Sequence, residues 1–169
     1  MSETTKIALV LSGGGARAAY QVGFLRGLTQ QFPALHFPLI TGVSAGAINA
    51  AHLANHQGTF AQAVDELAGW WSSLTTEQVF RVDSASLLSH LLRWGLHLIS
   101  GGLHGAPRVR GFVDTAPLRE FLTRALQSSD GLLTGVQKNL GSGRLQALAI
   151  TTTSYATGRS VTWVQGEAI

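Results

Sequence analysis

The sequence predicts an α/β fold, a central and mainly parallel sheet flanked by helices. Three observations carry that expectation. Two short apolar runs, "KIALVL" at 6–11 and "PLIT" at 38–41, each stop at a glycine-containing turn and each lead into a helix-patterned stretch. Of 169 residues, 45% are hydrophobic and only 12% charged, enough for one domain with a sizeable core. Twenty glycines suit tight turns and close packing, not a coiled coil or a disordered chain.

The elements follow in order. Residues 6–11 read as a buried strand ended by "SGGG", and 16–31 as a helix with Ala19, Val22, Phe24, Leu25 and Leu28 mostly on one face. "FPALHFP" holds two prolines and is a connection. A second strand at 38–41 precedes a helix of small residues at 45–56, able to approach the sheet closely. A further helix at 60–73 carries the Trp70–Trp71 pair. Residues 84–100 form a helix pattern with Leu87, Leu88, Leu91, Leu92, Leu96 and Ile99 on a wide apolar face. In "DTAPLREFLTRAL", Asp114 or Thr115 caps a helix, Pro117 fits its first turn and Glu120 follows. "SSDGLLTG" and "NLGSG" read as turns, and 145–152 and 160–164 as two strands joined by "SYATGR". No repeat or linker divides the chain.

Charge and composition narrow the function classes. A net charge of +3 without a basic run gives no case for nucleic acid. The absence of cysteine removes disulfides and thiolate metal sites and fits a reducing, cytoplasmic setting. "MSETTK" does not open a secretory signal, and no stretch reaches the ~18 apolar residues of a membrane span. A soluble or peripheral protein is expected, with 84–100 as the candidate membrane contact through Arg93, Trp94 and its leucines. No Asp or Glu lies between Glu3 and Asp65, whereas Lys6, Arg17 and Arg26 do. The first third therefore builds a neutral or positive site, suited to a ligand that is anionic or develops negative charge.

The glycines admit three chemistries. "SGGGARA" at 12–18 matches a dinucleotide loop, but no acid follows ~20 residues later to hold a ribose. No Gly-Lys-Ser/Thr is present for a P-loop. Acyl transfer uses both glycine clusters. Ser44, between Gly42 and Gly46 in "TGVSAG", matches the Gly-x-Ser-x-Gly turn that lifts a nucleophile clear of a sheet. Gly13, Gly14 and Gly15 would present backbone N–H groups to the oxyanion at a helix start. Arg17 either contacts substrate charge or packs outward. Parallel neighbouring strands would bring both turns to one carboxyl edge.

"LSGGGARAAYQVGFLRGL" followed by "ITGVSAGAINA" resembles the opening of the patatin-like phospholipases, lipid acyl hydrolases. The resemblance is close over 6–56, loose in the middle, and returns at "LAITTTSYATGRSVTW". It implies Ser44 as nucleophile, Gly42 and Gly46 as shapers of the elbow, and Gly13 to Gly15 as the oxyanion hole. It also implies a Ser–Asp dyad without histidine, an ester of a phospholipid, lysophospholipid or neutral lipid as substrate, and no metal or organic cofactor. Ala18 stands where the family's loop has glycine. The family's Asp-Gly-Gly or Asp-Gly-Ala follows its late strand pair, and these 169 residues do not contain it. The partner aspartate is thus expected outside them, with 6–169 as part of a patatin-like domain. Asp130, in the sole Asp-Gly here, precedes those strands and reads as a turn residue.

A Ser-His-Asp enzyme is the main rival, since Asp65, Asp83 and then His104 follow Ser44 in the order Ser, acid, His. Against it, His90, His97 and His104 lie in or beside the leucine-rich segment, and His36 in a proline loop. His52 and His56 are spaced for one helix face but lack the Glu of a zinc-binding His-Glu-x-x-His. All six read as surface or helix-packing residues. A non-catalytic lipid- or partner-binding protein and an acyl transferase complete the alternatives.

Overall fold

The computed structural model describes residues 7–79, 116–154 and 157–166. They belong to two compact units, one drawn from 1–73 and 126–169 and the other from 74–125. The expected helix at 84–100, the caps Asp114 and Thr115, and Asp83, His90, His97 and His104 lie outside the described residues.

In the first unit, β1 (Ala8–Leu11), β2 (Leu39–Val43), β3 (Ala147–Thr153) and β4 (Ser160–Gly166) form one sheet in the order β1-β2-β3-β4. The first three strands run parallel, and β4 pairs antiparallel to β3. The short connection after Thr153 allows a hairpin, whereas the parallel pairs need crossovers through helices. The fold is α/β with flanking helices, as the strand and helix pattern predicts.

The 14-residue α1 (Ala18–Gln31) connects β1 to β2, burying Ala18, Val22, Leu25 and Thr29 on one stripe. Phe24 departs from the expected face and is 61% exposed, because it lies roughly a third of a turn from that stripe. The central α2 (Ala45–Asn55) has eight of its 11 residues buried, which its alanine-rich sequence permits on every side. α3 (Phe60–Ser73) starts in a reciprocal capping box. Thr59 N–H donates to Gln62 Oε1 at 2.8 Å, and Gln62 N–H donates to Thr59 Oγ1 at 3.2 Å. Its buried Phe60, Ala63, Val64 and Leu67 recur at helical spacing and join Val22, Leu25, Leu53 and Leu148 in the core.

His52 is a packing residue. It is buried, its Nε2 lies 2.9 Å from the Ala63 carbonyl, and its ring meets Trp70 edge-on at 4.1 Å. Burial pushes its pKa down from the ordinary histidine value. One turn on, His56 faces Glu66 across 3.2 Å, and its Nδ1 accepts the Gly58 N–H.

The second unit contains α4 (Thr76–Val79) and α5 (Ala116–Ala125), which pack on each other. In the first unit, α6 (Thr134–Gly141) overturns part of the turn reading of 128–135 and 139–143. Two helix-weakening glycines are overridden by burial of Val136 and by Asn139, which donates to the Ala54 and His56 carbonyls at the end of α2. No helix among the described residues is long and apolar enough to cross a membrane.

Candidate active site

Parallel pairing of β1 with β2 ends both strands at one edge, with Leu11 opposite Gly42. The glycine row leaves β1 there, and Ser44 leaves β2. Ser44 is the single residue between β2 and α2, with φ 54° and ψ −122°. An L-residue rarely adopts that conformation, and the strain costs about 1–3 kcal/mol. Its amide continues the ladder by donating to the Thr151 carbonyl at 3.2 Å, and its own carbonyl accepts the Ala47 N–H at 2.9 Å. The chain is therefore held on both sides of the turn, leaving the serine exposed at the tip.

Glycine is required at the flanking positions by contact. A Cβ on Gly42 would collide with the Gly46 carbonyl and stand 2.8 Å from Ala47 Cα. On Gly46 it would meet the Leu11 and Ser12 carbonyl oxygens at 2.5 Å. The absence of both side chains lets α2 drop onto the start of the glycine loop. A Cβ on Gly13 would stand 3.2 Å from Ser44 Cβ, so the loop passes close beside the serine with room for little more than a glycine.

Gly14 and Gly15 have φ of 152° and 57°, values that favour glycine, and a 3₁₀ turn at Gly15–Arg17 leads into α1. The N–H groups of Gly13, Gly14 and Gly15 make no hydrogen bond among the described residues, nor does that of Ala45 at the start of α2. Two helix N-termini thus present unspent donors beside Ser44, the arrangement that stabilises developing negative charge. Arg17 is exposed, its stem lies against Gly14, and its guanidinium has no ion-pair partner among the described residues.

The described acids of this unit are placed elsewhere. Asp65 pairs with Arg26 at 2.9 Å and Glu66 faces His56. Asp130 sits in a turn with φ 51°. Its neighbours on both sides are fastened to Asn55, which donates to the Leu126 carbonyl and accepts the Val136 N–H. Asn55 ends α2, about 16 Å from Ser44 along that helix axis. Among the described residues no three His, Cys, Asp or Glu side chains are grouped to hold a metal ion.

Sequence reasoning missed two polar residues. Gln21 donates from Nε2 to the Ser12 carbonyl at 2.8 Å and to Ser12 Oγ at 3.0 Å, tying the loop's first residue to α1. Asn49 is fully buried in α2 and bonded to both neighbouring helices. An amide within the small-residue run "AGAINAAHLA" is the available signal, since a buried polar group needs partners.

A profile of the patatin-like phospholipases matches residues 9–160, most of the chain. The chain belongs to the patatin-like phospholipase family. Among solved structures it is similar to one chain of the heterodimeric complex ExoU–SpcU from the type III secretion system of Pseudomonas aeruginosa. Identity is 20% and the TM-score 0.44, with 95% of this chain aligned to 33% of that one. The chain thus spans about a third of that structure's length. No curated protein sequence matches it.

Proposed function

We propose that this protein is a serine lipid acyl hydrolase that cleaves acyl esters of phospholipids or lysophospholipids, with residues 6–169 forming part of its catalytic domain. The observation that carries the reading is the strained, exposed Ser44 beside a loop of glycines whose N–H groups make no hydrogen bond among the described residues. Membership of the patatin-like family supports the lipid ester class.

In the proposed reaction, Ser44 Oγ attacks the ester carbonyl carbon while its proton passes to an aspartate. The electron pair pushed onto the carbonyl oxygen is stabilised by the Gly13–Gly15 amides. Collapse of the intermediate expels the alcohol, which takes up the proton, and leaves an acyl–Ser44 ester that water hydrolyses. Arg17 is proposed to meet the phosphate or glycerol side of the substrate, since its guanidinium has no ion-pair partner among the described residues. The aspartate is proposed to follow the β3–β4 pair, as the family resemblance implies. Asp130 is set aside because it precedes those strands and because the chain flanking it, at Leu126 and Val136, is tied to Asn55 at the far end of α2.

The test is covalent labelling and turnover. A fluorophosphonate probe should modify Ser44, and Ser44→Ala should abolish both labelling and hydrolysis of short p-nitrophenyl esters. Residues 1–169 alone should turn over feebly, near the ~10³–10⁴-fold residual advantage left when a triad member is removed. Adding the natural downstream sequence should restore activity. Undiminished hydrolysis by Ser44→Ala would exclude the reading.

A further inference from the structure

The Ser44 elbow opens α2 and the glycine loop opens α1, so the proposed chemistry depends on how these two helix starts are fixed. The close approaches of Gly13 to Ser44 and of Gly46 to the Leu11 and Ser12 carbonyls set a minimum distance. They do not hold the loop there. Among the described residues, the side-chain hydrogen bond that joins α2 to α1 is Asn49 Nδ2 to the Ala18 carbonyl, at 3.1 Å. Ala18 is the first residue of α1, immediately after the 3₁₀ turn of the glycine loop. Asn49 lies five positions beyond Ser44 in the helix the serine opens.

The amide end is chosen by a third helix. Trp71 Nε1, on α3, donates to Asn49 Oδ1 at 2.8 Å. Reversing the amide would face a donor with a donor and an acceptor with an acceptor. Asn49 is 0% exposed, so no bulk water replaces either bond.

We propose that Asn49 is a positioning residue that holds the glycine loop at its working distance from Ser44 through the Ala18 carbonyl, with Trp71 locking its amide. This rests on the reading of Ser44 and the glycine row as an acyl-transfer site. Oxyanion donors act only when held close to the productive geometry, and a displacement of about 1 Å costs on the order of 10²-fold in rate.

Asn49→Leu keeps approximate volume and removes both bonds. Trp71→Phe keeps Asn49's bond to Ala18 and frees only its carbonyl end. Measured well below each unfolding midpoint in the full protein, Asn49→Leu should lower kcat by about 10–100-fold with KM within roughly twofold. Trp71→Phe should lower kcat by a smaller factor in the same manner, and it decides the matter if Asn49→Leu does not fold. Amide hydrogen exchange at Arg17 and Ala18, whose N–H groups bond to the Gly14 and Gly15 carbonyls, should quicken in both variants and stay unchanged in Ser44→Ala. Unaltered exchange at these two amides, or quickened exchange with wild-type kcat, would overturn the proposal. Turnover that survives Ser44→Ala would instead defeat the reading of the site. The exchange measurement would then still decide whether Asn49 holds the loop.

Discussion

Ser44 combines two demands that conflict in a side chain with a Cβ. It must stand clear of the sheet, and its backbone must turn within one residue between β2 and α2. The positive φ is the result, and it makes stability and the proposed function separable. Ser44→Gly should raise the thermal midpoint while abolishing fluorophosphonate labelling, because glycine adopts φ 54° without the ~1–3 kcal/mol strain. Ser44→Ala should abolish labelling with little change in midpoint. At Gly46, alanine would press against two backbone carbonyls, and neither can move without shifting β1 or α2. We expect Gly46→Ala to destabilise by about 1–3 kcal/mol in chemical denaturation. His52 sets a pH dependence. Burial holds its folded pKa below its unfolded value, while the Glu66 carboxylate opposes that shift and His56 adds to it. Above pH 6.5 both states are neutral there and no effect arises. As pH falls below 6.5 the unfolded chain takes up the proton first, so stability declines toward the folded pKa. Urea midpoints measured from pH 8 to pH 5 should fall less steeply in His52→Gln than in the wild type.

At the scale of elements, α2 organises the first unit. Its N-terminus carries Ser44, its middle is tied to α1 and α3 through Asn49 and His52, and its last carbonyls are capped from α6. Asn139 bonds the Ala54 and His56 carbonyls, which the end of a helix otherwise leaves without donors. Asn139→Leu should therefore cost about 1–3 kcal/mol in denaturant unfolding, with local exchange fastest around 52–56 and 134–141. Gly135 abuts the Asn55 backbone so closely that a Cβ would overlap its carbonyl, so Gly135→Ala should loosen the same joint.

For the whole molecule, the sheet's margins matter most. Among the described residues β4 lies at one end of the sheet, with Trp163 67% and Val164 70% exposed, and β1 at the other end leaves Val10 72% exposed. An open strand with apolar side chains is a template for pairing with another chain. Residues 1–169 should associate at raised concentration in sedimentation velocity. Val164→Lys should reduce that association while leaving the midpoint of unfolding nearly unchanged.

Local patterning alone made the α/β class legible, because apolar runs ended by glycine and followed by helical periodicity require nothing distant. "TGVSAG" likewise disclosed a tight strand-to-helix turn at Ser44, since the spacing of two glycines about one serine is itself the turn's chemistry. What stayed hidden depends on neighbours far along the chain. The pattern of α1 placed Phe24 inside, but which stripe is buried depends on the angle at which α1 meets α2 and α3. The glycines and turn residues of 128–143 concealed α6, which forms because Val136 and Asn139 find partners on α2, over 80 residues away. Asn49 was legible only in part for the same reason. An amide in a run of small residues signals a buried polar group, but its partners are decided only when folding brings the Ala18 carbonyl and the Trp71 indole to either side of it.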